Sequence, residues 1–351
     1  MTTSAFDAAF EKVSSLVATF QANEARYLSA GYQEAEARKD FIDKFFIALG
    51  WDVNHDLQTN PYAQEVKVER AHGGSQRRAD YAFYLAPNFR DVRYYVEAKK
   101  PHGDIANPDN YFQTIRYGSG SRTPLAVLTD FEQFHILDCR FKADIKSVLK
   151  RRVRAYHYRD YADREKFGEI YWLFSREAVA SGALETLAAT LPKRGEGIPP
   201  LHLQNLDDAF LDELEGFRAV LAAAFKKRNP HLDSETLTEA TQRTLDRLVF
   251  MRFLEDKLIE PRSVVARLAG PDSAWQDFVS ASRRLDNIYN GIVFKRHAIL
   301  DAADFRADNE VLAEICRRLA DAHSPYDFNA IPIHILGSIY ERFLGKIIVA
   351  T

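Results

Sequence analysis

Cysteine is scarce in this chain. Cys139 and Cys316 are the two among 351 residues, and neither has a partner at a pairing or metal-binding spacing. That argues against a disulfide framework and a zinc site, and fits a reducing, cytoplasmic setting. Long hydrophobic runs are missing as well, so no membrane span is expected. Met1 to Phe20 is an amphipathic stretch carrying acids, unlike a cleavable signal peptide. There is no excess of positive charge: the formal net charge of -3 argues against a histone-like nucleic-acid coat. It leaves room for local basic contacts to phosphate, such as Lys146, Lys150, Arg151, Arg152 and Arg154, which read equally as a solvated helix end. No glycine-rich loop ending in Gly-Lys-Ser/Thr occurs, which excludes a nucleotide-driven motor.

What is present is a globular composition, 46% hydrophobic and 28% charged, in a chain long enough for two domains. Apolar spacing predicts a helix over 6–27 and a second over 32–49, stopped by Gly50. Strand patterns follow at 65–69, 77–85 and 92–99, with Asn88 and Asp91 in the last turn. A helix over 109–117 leads to a short apolar run, 125–128, of the kind found in buried central strands, and then to a strand at 134–137. Pro192, Lys193, Arg194, Gly195, Gly197, Pro199 and Pro200 mark a linker. Beyond it the pattern is helical, over 206–227, 236–257, 307–320 and 333–347. The expected organisation is an α/β domain over 1–190, a linker over 191–202 and an all-α domain over 203–351.

Three Glu-x-Lys triplets occur, where about one or two are expected by chance. Glu255 and Lys257 lie in a helical stretch, where that spacing turns the side chains apart. Glu65 and Lys67 alternate with Val66 and Val68 like any half-exposed strand, with Asp52 and Asp56 as the acids they could draw on. Glu97 and Lys99 have better company. On their strand Val92, Tyr94, Val96 and Ala98 form an apolar face, leaving Arg93, Tyr95, Glu97 and Lys99 on the other. On the preceding strand Ala79, Tyr81, Phe83 and Leu85 are apolar, and Asp80 goes opposite. Asp80, Glu97 and Lys99 should therefore meet.

Such a trio suits a metal-dependent phosphodiesterase. Mg²⁺ takes oxygen ligands and is commonly held by one or two carboxylates plus substrate phosphate. Asp80 and Glu97, with the Ala98 carbonyl, are the candidate ligands, and Lys99 the candidate to orient water and stabilise charge on phosphorus. The bland alternative is a cross-strand salt bridge.

At these residues the sequence resembles the PD-(D/E)xK nuclease superfamily, and more closely the N-terminal part of Type IIG restriction enzymes. Glu97 to Pro101 (EAKKP) is a strong form of the catalytic strand end, although Ala79 stands where the superfamily's name has proline. Glu34, Arg38, Phe41, Ile42, Asp43, Leu49, Gly50 and Trp51 resemble the opening helix, whose glutamate makes Glu34 an auxiliary ligand by resemblance. A solvent-facing pair of Glu34 with Arg38 is the competing reading. Gln113 and Tyr117 resemble a glutamine-tyrosine helix motif that supports the site and touches DNA. Phe167 to Gly182, Leu245 to Ile259 and Ile335 to Gly345 resemble the family's link and helical connector.

The resemblance implies a restriction-endonuclease-like mixed sheet flanked by helices, then a helical connector. It implies Mg²⁺, with Mn²⁺ as a substitute, and double-stranded DNA as partner, cut by a transient dimer. No S-adenosylmethionine glycine loop and no Asn-Pro-Pro-aromatic motif occurs, since Asp109 breaks the run Asn107, Pro108, Asp109, Asn110 and Tyr111. The expectation is thus a piece of a longer polypeptide, with methyltransferase and target-recognition domains beyond Thr351. Two alternatives stay open: the nuclease part of a Type I-like translocating enzyme, and an inactive nuclease-fold module that binds DNA for a methyltransferase.

Overall fold

In the computed structural model the described residues are 4–68, 79–192, 206–257, 259–261, 264–289 and 292–326. The chain divides into two compact units, Met1–Leu203 and Gln204–Thr351.

The first unit is built on a mixed sheet. Its six strands run in chain order: β1 (Val66–Val68), β2 (Tyr81–Phe83), β3 (Tyr94–Ala98), β4 (Leu125–Thr129), β5 (Gln133–Asp138) and β6 (Arg152–His157). All neighbours are antiparallel except β3 and β4, which pair in parallel with Val96 opposite Val127. A parallel pair needs a crossover. Helix α3 (Pro108–Gly120) supplies it, capped by the Asn107 side chain on the Asn110 N–H, with Pro108 in the first turn.

Both faces of the sheet are covered, which is why β4 is buried along its whole length and apolar from Leu125 to Leu128. On one face Val66, Tyr81, Phe83, Tyr94, Val96, Leu125 and Val127 join Val13, Phe20, Phe41 and Phe46 from helix α1 (Ala5–Ala22) and the second helix. On the other, Ala126, Leu128 and Leu137 pack under Phe112 and Ile115 of α3. Three short helices, Arg164–Phe174, Arg176–Ala180 and Ala183–Thr190, complete the unit.

The elements depart from expectation in three places. Helix α1 ends at Ala22, and a separate turn, Glu24–Tyr27, starts after Asn23. The second helix, α2, is three pieces: Glu34–Ala37, a π turn at Arg38–Ile42 and Asp43–Ala48. The basic stretch over 146–154 is no helix end. Val148–Arg151 is a 3₁₀ turn, and Arg152 begins the edge strand β6, where charge discourages pairing with another chain. Arg151 of that stretch is buried against the Phe141 ring. Residues 77 and 78 of the second expected strand, and nearly all of the linker, lie outside the described residues.

The described part of the second unit is helical: Leu206–Arg228, Ser234–Asp256, Ala274–Tyr289 and Asn309–Ala320, with a short turn at Val264–Arg267. Ala274–Tyr289 had no counterpart among the expected helices, and the expected helix over 333–347 lies outside the described residues. Two buried arginines tie this unit together. Arg252 lies between Glu255 and Asp256 at 3.0 and 2.8 Å, and Arg247 donates to the main-chain oxygens of Val293 and Lys295.

Glycine decides how closely α3 approaches the sheet. A Cβ at Gly118 would lie 2.5 Å from the Cys139 Sγ and 2.6 Å from its Cβ. Gly118→Ala should therefore destabilise the protein by about 1–3 kcal/mol, the usual cost of overpacking. A thermal melt of the variant beside wild type checks this, and an unchanged Tm would contradict the close approach.

Candidate active site

Register brings the acids together. Tyr81 pairs with Val96 across β2 and β3, so one further step places Asp80 opposite Glu97. Tyr94, Val96 and Ala98 are fully buried in the first core, which turns Tyr95 and Glu97 to the other face. Glu97 is only 3% exposed.

Asp80 ties three elements together. Its Oδ2 accepts the Ala98 N–H at 2.8 Å, and its Oδ1 accepts Arg38 Nη1 of α2, also at 2.8 Å. Lys99 follows directly on β3. Its N–H donates to the Thr129 carbonyl at 2.9 Å, fixing the main chain, while Nζ donates to Glu97 Oε1 at 2.6 Å. The other oxygen, Glu97 Oε2, is buried with no hydrogen-bond partner.

Electrostatics follow from this crowding. Burial, and then the Asp80 charge, push the Glu97 carboxyl well above the ordinary carboxylate range, although Lys99 opposes them. Burial would lower the Lys99 ammonium, but Glu97, Asp80 and Glu34 outweigh it and hold the proton on. Glu34 is half-buried at the start of α2. Burial and then Asp80 raise its carboxyl, while Lys99 and Arg38 pull the other way, so it belongs to the same charge cluster. The cluster holds three acids and two cations.

Gln113 and Tyr117 lie one turn apart on α3, where Gln113 Nε2 donates to the Tyr117 hydroxyl at 3.1 Å. Tyr117 is buried, its ring 6.1 Å from that of Tyr95, two residues before Glu97 on the same strand face. The pair thus backs β3 from the second face.

The competing triplets are spent on architecture. Glu65 is fully buried and takes a fork from Arg176, Nε at 2.6 Å and Nη2 at 2.8 Å, plus the Ala86 N–H at 2.9 Å. Lys67 lies over the Tyr84 ring, and the Asp52 carboxylate accepts the main-chain N–H groups of Asp56, Leu57 and Gln58. Glu255 bonds Arg252 and accepts the Val265 N–H.

Sequence reasoning gave no role to Tyr81 or Asp43. The Tyr81 hydroxyl donates to Asp43 Oδ1 at 2.6 Å and accepts from Arg38 Nε at 3.2 Å. Tyr81 read as core, and Arg38 and Asp43 are five apart, on different sides of an ordinary helix. No sequence signal announces the π turn that unites them.

Among the described residues no group of three or more His, Cys, Asp or Glu side chains is arranged to hold a metal ion. A hard cation of the Mg²⁺ type asks for less, one or two carboxylates completed by carbonyl, water and phosphate oxygens. Asp80 and Glu97, with the partnerless Oε2 between burial and ligand, fit that demand.

The chain is 29% identical over 342 residues to "Type II restriction enzyme and methyltransferase RM.Eco57I" of Escherichia coli, an alignment taking in 96% of this chain and 33% of that protein. It spans about a third of that relative's length. No protein-family model matches the chain, and no solved structure does.

The Glu65 fork gives a pH-dependent expectation. Burial pushes its carboxyl up, but Arg176, the Ala86 N–H and Gln58 outweigh it, and the net shift is downward. A lowered folded-state pKa contributes stability that is present above the unfolded value and lost as pH falls through the folded one. Glu65→Gln should cost about 1–3 kcal/mol at neutral pH. The difference from wild type should narrow at an acid pH below the ordinary glutamate range, as pH falls towards the lowered folded-state value. Denaturant unfolding at both pH values reads it, and a gap that stays constant would contradict the ion pair.

Proposed function

We propose that this chain carries a metal-dependent DNA phosphodiesterase centre of the PD-(D/E)xK kind, the cutting part of a Type IIG-like restriction-modification enzyme. The observation that carries the reading is the meeting of Asp80 and Glu97 at one strand end, with Lys99 on one Glu97 oxygen and the other buried without a partner. The similarity to a restriction enzyme and methyltransferase along nearly the whole chain supports the biological setting.

Asp80, Glu97 and the Ala98 carbonyl would hold Mg²⁺, or Mn²⁺ in its place. The ion, when bound, supplies positive charge against the phosphate and acidifies a water. The remaining work belongs to the chain. Asp80 is kept in place for that role by Ala98 and Arg38. A cation facing Glu97 would offset its elevated proton affinity. Lys99 orients the attacking water and stabilises charge gathering on the phosphate oxygens. Water oxygen bonds to phosphorus, the bond to the 3′-oxygen breaks, and that oxygen takes a proton, leaving 5′-phosphate and 3′-hydroxyl ends. Gln113 and Tyr117 brace β3 beside the site, on the strand face that carries Glu97. Recognition of a DNA sequence and methyl transfer from S-adenosylmethionine would belong to other parts of a longer polypeptide.

Incubation of supercoiled plasmid with the chain tests this. Slow, weakly specific nicking is expected with Mg²⁺ or Mn²⁺ and none with EDTA. Lys99→Ala should lower the rate by about 10²-fold or more, as loss of a transition-state donor does. Cleavage that survives EDTA, or a fully active Lys99→Ala protein, would sink the assignment.

A further inference from the structure

The π turn changes what the opening helix can reach. In an α-helix residues five apart sit about 140° apart around the axis, so Arg38 and Asp43 would diverge. Here the Asp43 N–H donates to the Arg38 carbonyl, closing the wider turn and bringing both residues to one side. Such turns are enriched at functional sites. On that side stands a single hydroxyl, that of Tyr81, donating to Asp43 and accepting from Arg38 Nε. The guanidinium lies 4.8 Å from the Tyr81 ring centre, and its Nη1 reaches Asp80. Arg38 and Asp80 are each only about one-seventh exposed, 14% and 16%, so little water competes for this chain of bonds.

We infer that Arg38 is a positioning residue: the π turn, Tyr81 and Asp43 hold its guanidinium so that it sets the orientation of Asp80 toward a divalent cation. The inference rests on the metal-dependent reading above. Charge compensation alone would not call for this construction, because a lysine could neutralise Asp80 equally well. What a guanidinium adds is rigidity and reach. It offers Nε to Tyr81 and Nη1 to Asp80 at once, across a planar group, which one ammonium cannot do. Asp80 is pinned from its other oxygen by the Ala98 N–H, so the carboxylate plane is defined by two donors on separate elements. Groups behind a ligand in this manner tune metal affinity through ligand orientation.

Arg38→Lys separates orientation from charge, since it keeps the cation and loses the fork. Tyr81→Phe removes the hydroxyl that anchors Arg38 without changing formal charge. Mn²⁺ is the probe, titrated into the 351-residue chain without DNA and followed by the paramagnetic resonance of the free ion, with thermal unfolding measured in parallel. Arg38→Lys should weaken Mn²⁺ binding by about ten-fold or more, and Tyr81→Phe by a smaller factor in the same direction. Arg93→Lys, at an exposed pair with Glu185, should bind like wild type.

An Arg38→Lys protein that binds Mn²⁺ within about two-fold of wild type overturns the inference, whether or not its Tm falls. If that variant does not fold, Tyr81→Phe decides by the same criterion. Wild type binding Mn²⁺ alongside unaltered variants removes this inference alone. Wild type that binds no Mn²⁺ removes the metal-dependent reading first, and the role of Arg38 with it.

Discussion

Three carboxylates whose charges act on one another, one of them deeply buried, form the constraint around which the first unit is arranged. Like charges in a low-dielectric setting cannot all ionise unless cations are brought among them. Glu34, Asp80 and Glu97 come from α2, the start of β2 and β3, and the compensating Arg38 and Lys99 from α2 and the end of β3. Each element is therefore held to its neighbour through the charges as well as through its apolar face. Asp80 is the junction: one oxygen fixes it to β3 and the other to α2. Compensation is incomplete, and the remainder appears as the raised carboxyl of Glu97 and its partnerless oxygen.

The same pair of residue types can be spent in different ways, and the three Glu-x-Lys triplets show how environment decides. Glu65 is as deeply buried as Glu97, yet a guanidinium fork and a main-chain donor satisfy it, so its pKa falls where that of Glu97 rises. Glu255 is satisfied by an arginine one helical turn away and by the Val265 N–H of a following turn. Glu97 alone among them keeps an unsatisfied oxygen within reach of a second acid. A buried polar atom left without a partner costs free energy, and native proteins retain few. Its presence at a strand end, opposite Asp80, is what favours the proposed site over a plain salt bridge.

Much of this was legible in the residues. Alternation along 79–85 and 92–99 placed Asp80, Glu97 and Lys99 on one side because period-two patterning survives when one face is strongly apolar. The apolar run at 125–128 announced a strand covered on both faces, and Gln113 and Tyr117 shared a helix face by simple spacing. Other features were not legible, for physical reasons. Strand β6 is rich in arginine because it is an edge, so composition pointed away from a strand. The π turn has no compositional mark, since Arg38 to Ile42 would serve equally in an α-helix, and with it the roles of Arg38, Tyr81 and Asp43 stayed hidden. Tyr81 could be read only as core, because burial of its ring says nothing about where its hydroxyl points.

The parallel pairing of β3 with β4 has a consequence for how the molecule comes into being. Strands β1 to β3 and β4 to β6 are two antiparallel runs, each made of neighbours close in sequence, whereas β3 can join β4 only after the crossover through α3 has closed. Loop-closure entropy favours short closures first. The seam between the two halves is then the late event, and the seam is where Glu97 and Lys99 stand, with the Lys99 N–H on Thr129 as its last stitch. Pulsed hydrogen exchange would register that amide as slow to become protected relative to those between β4 and β5. A folding intermediate with both runs formed and the seam open would accordingly hold Asp80 opposite Glu97 while lacking the Lys99 N–H bond to Thr129 that fixes the end of β3.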